Sequence, residues 1–227
     1  MKTPVISFYA DVDGRTYYSD HATRLKKNLE EHSVPNFIRH KPSKGNYRSN
    51  CLSKPRFILE MMNELRTPLV WLDVDSIVHK PLEVFDEFHD KVDLAMAFPK
   101  VPTKEDTTIG MPKASPIYLN QTPKSYEFIY AWIEASEELE RQANIAFDHE
   151  VLLKIFMKMI NENTGVRMAF LGNAYCVWPG IPIQGGEPVI TMGLADGESK
   201  EQVLRDMGFD EHNIKFQSPG NKFLVNQ

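Results

Sequence analysis

The chain has 227 residues, 42% hydrophobic and 25% charged, with a net charge of −5, which is ordinary for a globular protein and excludes one built mainly of membrane spans. No apolar run approaches the roughly 18 to 20 residues needed to cross a bilayer. Two cysteines, Cys51 and Cys176, have neither metal-site spacing nor a catalytic setting, and both are expected as free thiols.

The amino terminus lacks the longer apolar core of a signal peptide and reads as a first strand over residues 5–9, so a cytoplasmic protein is expected. A polar turn with Gly14 follows, then a helix over residues 19–32, where Ala22, Leu25 and Leu29 recur at helical spacing behind Ser19 as N-cap. Residues 36–39 are a short strand, residues 42–50 a polar loop, and residues 53–65 a helix that tolerates Pro55 in its first turn. Charge is uneven here. Residues 21–56 hold nine Lys and Arg against Glu30 and Glu31, an excess of +7 that leaves −12 on the remainder. A positive face of this kind would suit a phosphorylated donor or a polyanionic acceptor, against the plainer reading of a solvated helix face and loop.

The next strand is the most informative. Residues 69–74 are apolar except for Asp73, and Asp75 follows directly, although acidic residues are depleted within strands and seldom buried unless paired or bound to metal. An apolar strand of this type is buried on both faces of a parallel sheet, and ligands bind beyond the carboxyl ends of such strands. Two carboxylates there suit Mg²⁺ or Mn²⁺, which bind through one or two carboxylates plus substrate phosphates. Asp-X-Asp alone also occurs by chance in surface loops; its setting favours a site.

A strand over residues 92–98 completes an alternation of strands and helices typical of an α/β sheet. A Pro-rich connection over 99–116 leads to a strand at 117–120, helices at 125–141 and 147–161, short apolar pieces at 166–171, 176–178 and 189–192, and a helix at 199–207. One domain over 1–227 is expected, with residues 1–98 binding a nucleotide and 99–227 shaping an acceptor site.

Four segments in this order resemble the GT-A class of nucleotide-sugar-dependent glycosyltransferases, in particular the small bacterial and viral nucleotide-diphospho-sugar transferases. They are residues 5–13, Ser53-Lys54-Pro55-Arg56-Phe57-Ile58-Leu59, Trp71-Leu72-Asp73-Val74-Asp75-Ser76 and Phe147-Asp148-His149-Glu150-Val151-Leu152-Leu153. The resemblance spans about residues 4–180, and only the Asp-X-Asp segment is individually specific. It implies a single GT-A-like α/β domain, with a mixed, mostly parallel sheet flanked by helices and a Rossmann-like first half. By the same resemblance Asp75 ligates the cation. Asp73 contacts the ribose or sugar and is the second metal ligand, and Lys54 or Arg56 holds donor oxygens. Tyr9, Asp11, Asp13 and Tyr17 lie on the base and ribose side, though an aromatic beside a loop is more often core and Asp13 before Gly14 also suits a turn. Asp148 would bind the transferred sugar. Asp148 or Glu150 is the candidate general base, His149 a weaker one, against the plainer reading that carboxylates favour a helix start.

Relatives often supply a third metal ligand, a histidine, from a C-terminal segment. Residues 186–193 contain none, so Asp196 or His212 fills that role, or diphosphate and water do. Trp178 is the candidate acceptor-side wall, with a buried tryptophan beside a turn as the alternative. The function expected is metal-dependent transfer from a nucleotide sugar, UDP-sugar favoured and retention preferred, to a glycan, a lipid-linked glycan or a hydroxylated DNA base. The alternatives are a haloacid dehalogenase-type phosphatase, with Asp73 as nucleophile, and a non-catalytic sugar-nucleotide or glycan-binding domain.

Overall fold

The computed structural model describes residues 1–12, 14–99, 112–142, 148–177 and 186–193. Its first half runs β1 (Val5–Tyr9), α1 (Tyr17–Glu31), β2 (Asn36–His40), α2 (Tyr47–Leu52), α3 (Lys54–Leu65), β3 (Leu69–Trp71), β4 (Ile77–Val78), a 3₁₀ turn (Glu83–Phe88) and β5 (Leu94–Ala97). The second half adds β6 (Ile117–Leu119), α4 (Pro123–Arg141), α5 (Asp148–Asn161), β7 (Met168–Leu171), a 3₁₀ turn (Asn173–Tyr175) and β8 (Ile190–Thr191).

Six strands form one sheet in the order β2-β1-β3-β6-β5-β7, while β4 and β8 form a separate antiparallel pair. Only β6 opposes its neighbours, pairing antiparallel with both β3 and β5. The other ladders, β1 with β2 and β3, and β5 with β7, are parallel. The expected mixed, mostly parallel sheet is therefore present, and a second-half strand, β6, is inserted between two strands of the first half.

The strands read as continuous apolar runs because both faces are covered. Ile6, Leu69, Trp71, Leu94, Met96, Ile117 and Leu119 pack into one core with residues of α3, α4 and α5. Val5, Val70, Leu72, Ala95, Ala97 and Tyr118 face the other way, onto α1 and Phe85 of the first 3₁₀ turn. Trp71, Trp132 and Tyr118 are among the largest fully buried side chains; each such group contributes roughly 2 to 3 kcal/mol of burial free energy. Among the described residues no helix is long and apolar enough to cross a membrane.

Four local expectations need correction. The helix after β1 is capped from outside itself: Thr16 makes no side-chain cap bond, and Asp11 Oδ1 instead accepts from the amides of Tyr18 (2.8 Å) and Ser19 (3.1 Å), so Ser19 is inside the helix. Part of the expected loop at 42–50 is α2, started by Asn46, whose side chain accepts from Ser49 N at 2.8 Å. Strand β3 stops at Trp71, short of Val74, because the Asp73 amide donates to Ser115 Oγ (2.8 Å) and the chain turns, Ser76 N reaching Asp73 O at 3.0 Å.

The basic segment is the fourth. Arg39 pairs with Glu64, Lys41 with Glu60, Lys44 with Glu140, Arg56 with Glu137, and Lys54 with Asp73 and Asp148. Arg24 and Arg48 donate to the carbonyls of Asp75 and Leu139, and Lys26 and Lys27 face Glu30 and Glu31 along α1. Six of the acidic partners lie downstream of residue 56, so a count over 21–56 leaves them out. The +7 excess is largely neutralised between elements and makes no free polyanion-binding face.

Candidate functional site

Parallel strands β1 and β3 end at the edge of the sheet where antiparallel β6 begins, and three chain segments meet there. Lys54 is the first residue of α3, Asp73 follows β3, and Asp148 opens α5. Lys54 Nζ lies 2.5 Å from Asp148 Oδ2 and 2.8 Å from Asp73 Oδ1. Trp71 Nε1 also donates to Asp73 Oδ1, at 3.2 Å. The backbone on either side is held as well: Ser115 Oγ takes the Asp73 amide, and Ala114 N reaches His149 Nδ1 at 3.4 Å. The ion pairs therefore tie β3, α3 and α5 together through side chains 94 residues apart in sequence.

Asp75 stands next to this trio and is nearly buried, at 9% exposure. Arg24 reaches only its backbone carbonyl, at 2.7 Å, and no ion pair to its carboxylate occurs among the described residues. One ammonium is thus paired with two carboxylates, and the third, Asp75, stands beside them without an ion pair among the described residues. Burial works against the Lys54 charge, but Asp148 and Asp73 outweigh it and hold its pKa well above the usual lysine value. Asp148 is likewise opposed by burial, yet Lys54 keeps it below the ordinary carboxylate range. Asp73 is shifted up by burial, with Lys54 offsetting part of that and Asp148 adding to it. Asp75 is pushed up to about 6 by burial and then by the charge of Asp73.

This donor set fits a divalent cation in one specific sense. Asp75 lacks a compensating cation beside a second carboxylate, and that is the charge deficit a metal fills. Among the described residues no group of three or more His, Cys, Asp and Glu could hold a metal ion; Asp73 and Asp75 are the two carboxylates that would, with phosphate oxygens completing the shell of an Mg²⁺ or Mn²⁺ ion.

The remaining expected residues are placed as follows. The structure brings Lys54, not Arg56, to the carboxylates; Arg56 is exposed and paired with Glu137 on α4. Tyr9 lies 5.3 Å from the His40 ring, and Tyr17 packs edge-on against Tyr18 and His21. Asp11 is occupied in part by capping α1. Glu150 is exposed in the first turn of α5, while His149 is half-buried, its pKa lowered by burial, with Nδ1 3.5 Å from Asp148 Oδ1. Asp13, Trp178, Asp196 and His212, with Phe147 and the helix expected at 199–207, lie outside the described residues.

Sequence reasoning missed Trp71 Nε1, Ser115, Arg24 and the pair Tyr47 and Cys51 behind Lys54. Cys51 is bonded to Tyr47, and burial drives its thiol up to about 12, which makes it an inert packing group. The polar loop at 42–50 gave no sign of α2, and the contact of Ser115 with Asp73 needs the β3–β6 pairing.

No protein-family model matches the chain, and no curated protein matches it in sequence. Among solved structures it is similar to a glycosyltransferase involved in the glycosylation of the major capsid of PBCV-1, with a TM-score of 0.56 at 12% identity over 90% of this chain and 98% of that one. Mouse xyloside xylosyltransferase 1, apo form, aligns with a TM-score of 0.49 at 10% identity over 85% of this chain and 98% of that one. The likeness to the first is one of fold, and the expected GT-A-like α/β architecture is the one the chain has.

Proposed function

We propose that the protein is a glycosyltransferase of one domain, moving a sugar from a nucleoside-diphosphate sugar, UDP-sugar favoured, with retention of configuration. The observation that carries this reading is the Asp73–Lys54–Asp148 junction beside Asp75. It sits beyond the carboxyl ends of parallel strands, where α/β sheets bind ligands, on a fold shared with a glycosyltransferase. Lys54 places a permanent cation where donor oxygens would lie. Asp148, ionised and fixed by Lys54, orients sugar hydroxyls, and Asp73 accepts from the ribose or sugar. Mn²⁺ or Mg²⁺ held by Asp75 and Asp73 would stabilise the departing diphosphate as a Lewis acid.

Retention is supported by the state of Asp148. A carboxylate whose pKa is held down by a bound lysine is a poor general base, and Glu150 faces solvent. The phosphatase alternative asks Asp73 for a nucleophilic oxygen; with Oδ1 held by both Lys54 and Trp71, that role would fall to Oδ2. The acceptor we favour is a glycan or lipid-linked glycan; the neutralised basic segment takes away the physical reason for a DNA base.

Incubation with UDP-, GDP- and TDP-sugars, with and without Mn²⁺, tests the reading. Metal-dependent release of one nucleoside diphosphate is expected. Release from none of them, together with turnover of a simple phosphate ester, would replace it with the phosphatase; nucleotide binding without turnover would leave a binding domain.

A further inference from the structure

Six glycines fall among residues whose surroundings are described, and they differ in why glycine is there. Gly14, Gly45, Gly165 and Gly186 have positive φ, between 72° and 133°, which glycine adopts without strain. Gly172 has neither a positive φ nor any atom within 4 Å of where a Cβ would lie. Gly193 also lacks a positive φ, yet a Cβ there would lie 2.3 Å from Asp75 Cγ, 2.4 Å from Asp75 Cβ and 2.5 Å from Asp75 Oδ2. The Asp75 side chain occupies the volume that any side chain at 193 would need.

The ladder explains this approach. Ile77 pairs with Thr191 and Val78 with Ile190, so the same antiparallel register, carried two residues back, sets Asp75 opposite Gly193. The β8 side of the ladder is firmly held: His79 N donates to Val189 O (2.8 Å), Met192 N to Val177 O (2.7 Å), and His79 Nε2 meets Thr191 Oγ1 at 2.8 Å. Directly opposed residues in an antiparallel pair have Cα atoms about 4.5 to 5.5 Å apart, and here one of the two has given up its side chain.

We propose that Gly193 is a positioning residue for Asp75, its bare Cα permitting the close approach in which the Asp75 carboxylate lies beside Asp73. The functional consequence rests on the reading of Asp75 as the donor-side metal ligand. A methyl group at 193 cannot be absorbed by a flexible side-chain tip, since Asp75 Cβ is itself in the way; the ladder opens there, and the Asp75 carboxylate is carried away from Asp73 with it.

The test compares wild type, Gly193→Ala, Asp75→Gly, which removes the obstructing Asp75 Cβ as well as the carboxylate, and the double variant, with Gly172→Ala as the control for a generic loss of glycine. Thermal unfolding is measured without ligand, and Mn²⁺ binding by electron paramagnetic resonance with UDP present. Gly193→Ala is expected to lower Tm by about 3 to 8 °C with Asp75 in place and by less than about 1 °C without it. It is also expected to weaken Mn²⁺ binding about 10- to 100-fold, as loss of a group that orients a ligand does, while Gly172→Ala changes neither. An equal Tm loss in both backgrounds, or unchanged Mn²⁺ affinity in Gly193→Ala when wild type binds, overturns the proposal. If the Tm coupling appears but wild type binds no Mn²⁺ with UDP, the positioning of Asp75 stands and the glycosyltransferase reading fails.

Discussion

Aspartates sit at both ends of the main sheet, and the pKa values of Asp86 and Asp93 at one end are shifted down while those of Asp73 and Asp75 at the other are shifted up. Before β1 and β5, Asp86 accepts from Thr3 N (2.8 Å), Thr3 Oγ1 (2.6 Å) and Lys2 N, and Asp93 is bound by Arg167 through Nη2 (2.9 Å) and the backbone amide (2.8 Å). Burial opposes both carboxylates, but hydrogen bonds from Thr3 and Arg167 win and hold both pKa values below normal. Beyond β3, Asp73 and Asp75 are raised, by burial first and then by a neighbouring carboxylate (Asp148 for Asp73, Asp73 for Asp75), which the single Lys54 offsets only in part. A satisfied carboxylate fastens chain ends to the sheet. An under-compensated one stores electrostatic strain that a bound cation can relieve, which is why such groups cluster at functional sites.

The contrast breaks most severely at its hinge, Lys54. Lys54→Met strands two carboxylates and should cost about 3 to 5 kcal/mol of stability, seen as a large fall in Tm, together with turnover. An unchanged Tm would mean the trio is not an ion-paired unit. Asp75→Asn should lower turnover about 10³-fold, on the order expected for losing one electrostatic contributor to the transition state, yet leave Tm unchanged or higher. Loss of fold in that variant would place Asp75 with the structural aspartates instead.

Asp93→Asn is the converse. It should cost about 2 to 3 kcal/mol by loosening the Arg167 contacts, with turnover of the remaining folded protein within about threefold of wild type; a much larger activity loss would erase the distinction between the two ends.

pH sharpens the comparison further. Asp75 has a folded pKa of about 6, above the roughly 3.9 of an unfolded aspartate. The folded state therefore holds this proton more tightly, so its charge destabilises the fold above pH 6 and that cost vanishes as pH falls to about 4. Asp93, shifted down, contributes stability above about pH 4 that is lost on further acidification. Wild type and Asp75→Asn should then unfold alike near pH 4 and diverge by on the order of 1 to 2 kcal/mol by pH 7, the variant being more stable. Coincident curves throughout would deny the strain at Asp75. The smallest effect belongs to the surface: Lys41→Gln, which breaks the pair with Glu60, should move Tm by under about 2 °C and leave duplex DNA binding weak at all salt concentrations.

How much of this was legible follows from the range of the interactions involved. The Asp-X-Asp carboxylates and Lys54 were readable because local pattern marks them: an apolar run that ends in acid, and a basic residue at a helix start. The strand and helix order of the first hundred residues was readable for the same reason, as periodicity is local. Helix α2 was not, since its cap, Asn46, sits in a segment of turn-formers that looks like loop. The neutralised basic segment was not, because its partners Glu60, Glu64, Glu137 and Glu140 come from later helices. Gly193 was read as a place lacking a histidine; that the missing side chain makes room for Asp75 depends on the β4–β8 register, which no local pattern encodes.

The central claim is that the cluster beyond β3 receives a nucleoside diphosphate together with a divalent cation. Calorimetric titration of UDP into wild type and Asp75→Asn, each with and without Mn²⁺, tests it most directly. Binding to wild type that strengthens at least tenfold with Mn²⁺, and loses that dependence in Asp75→Asn, is the predicted result. Binding that ignores Mn²⁺, or metal-dependent binding that survives Asp75→Asn unchanged, would contradict the account.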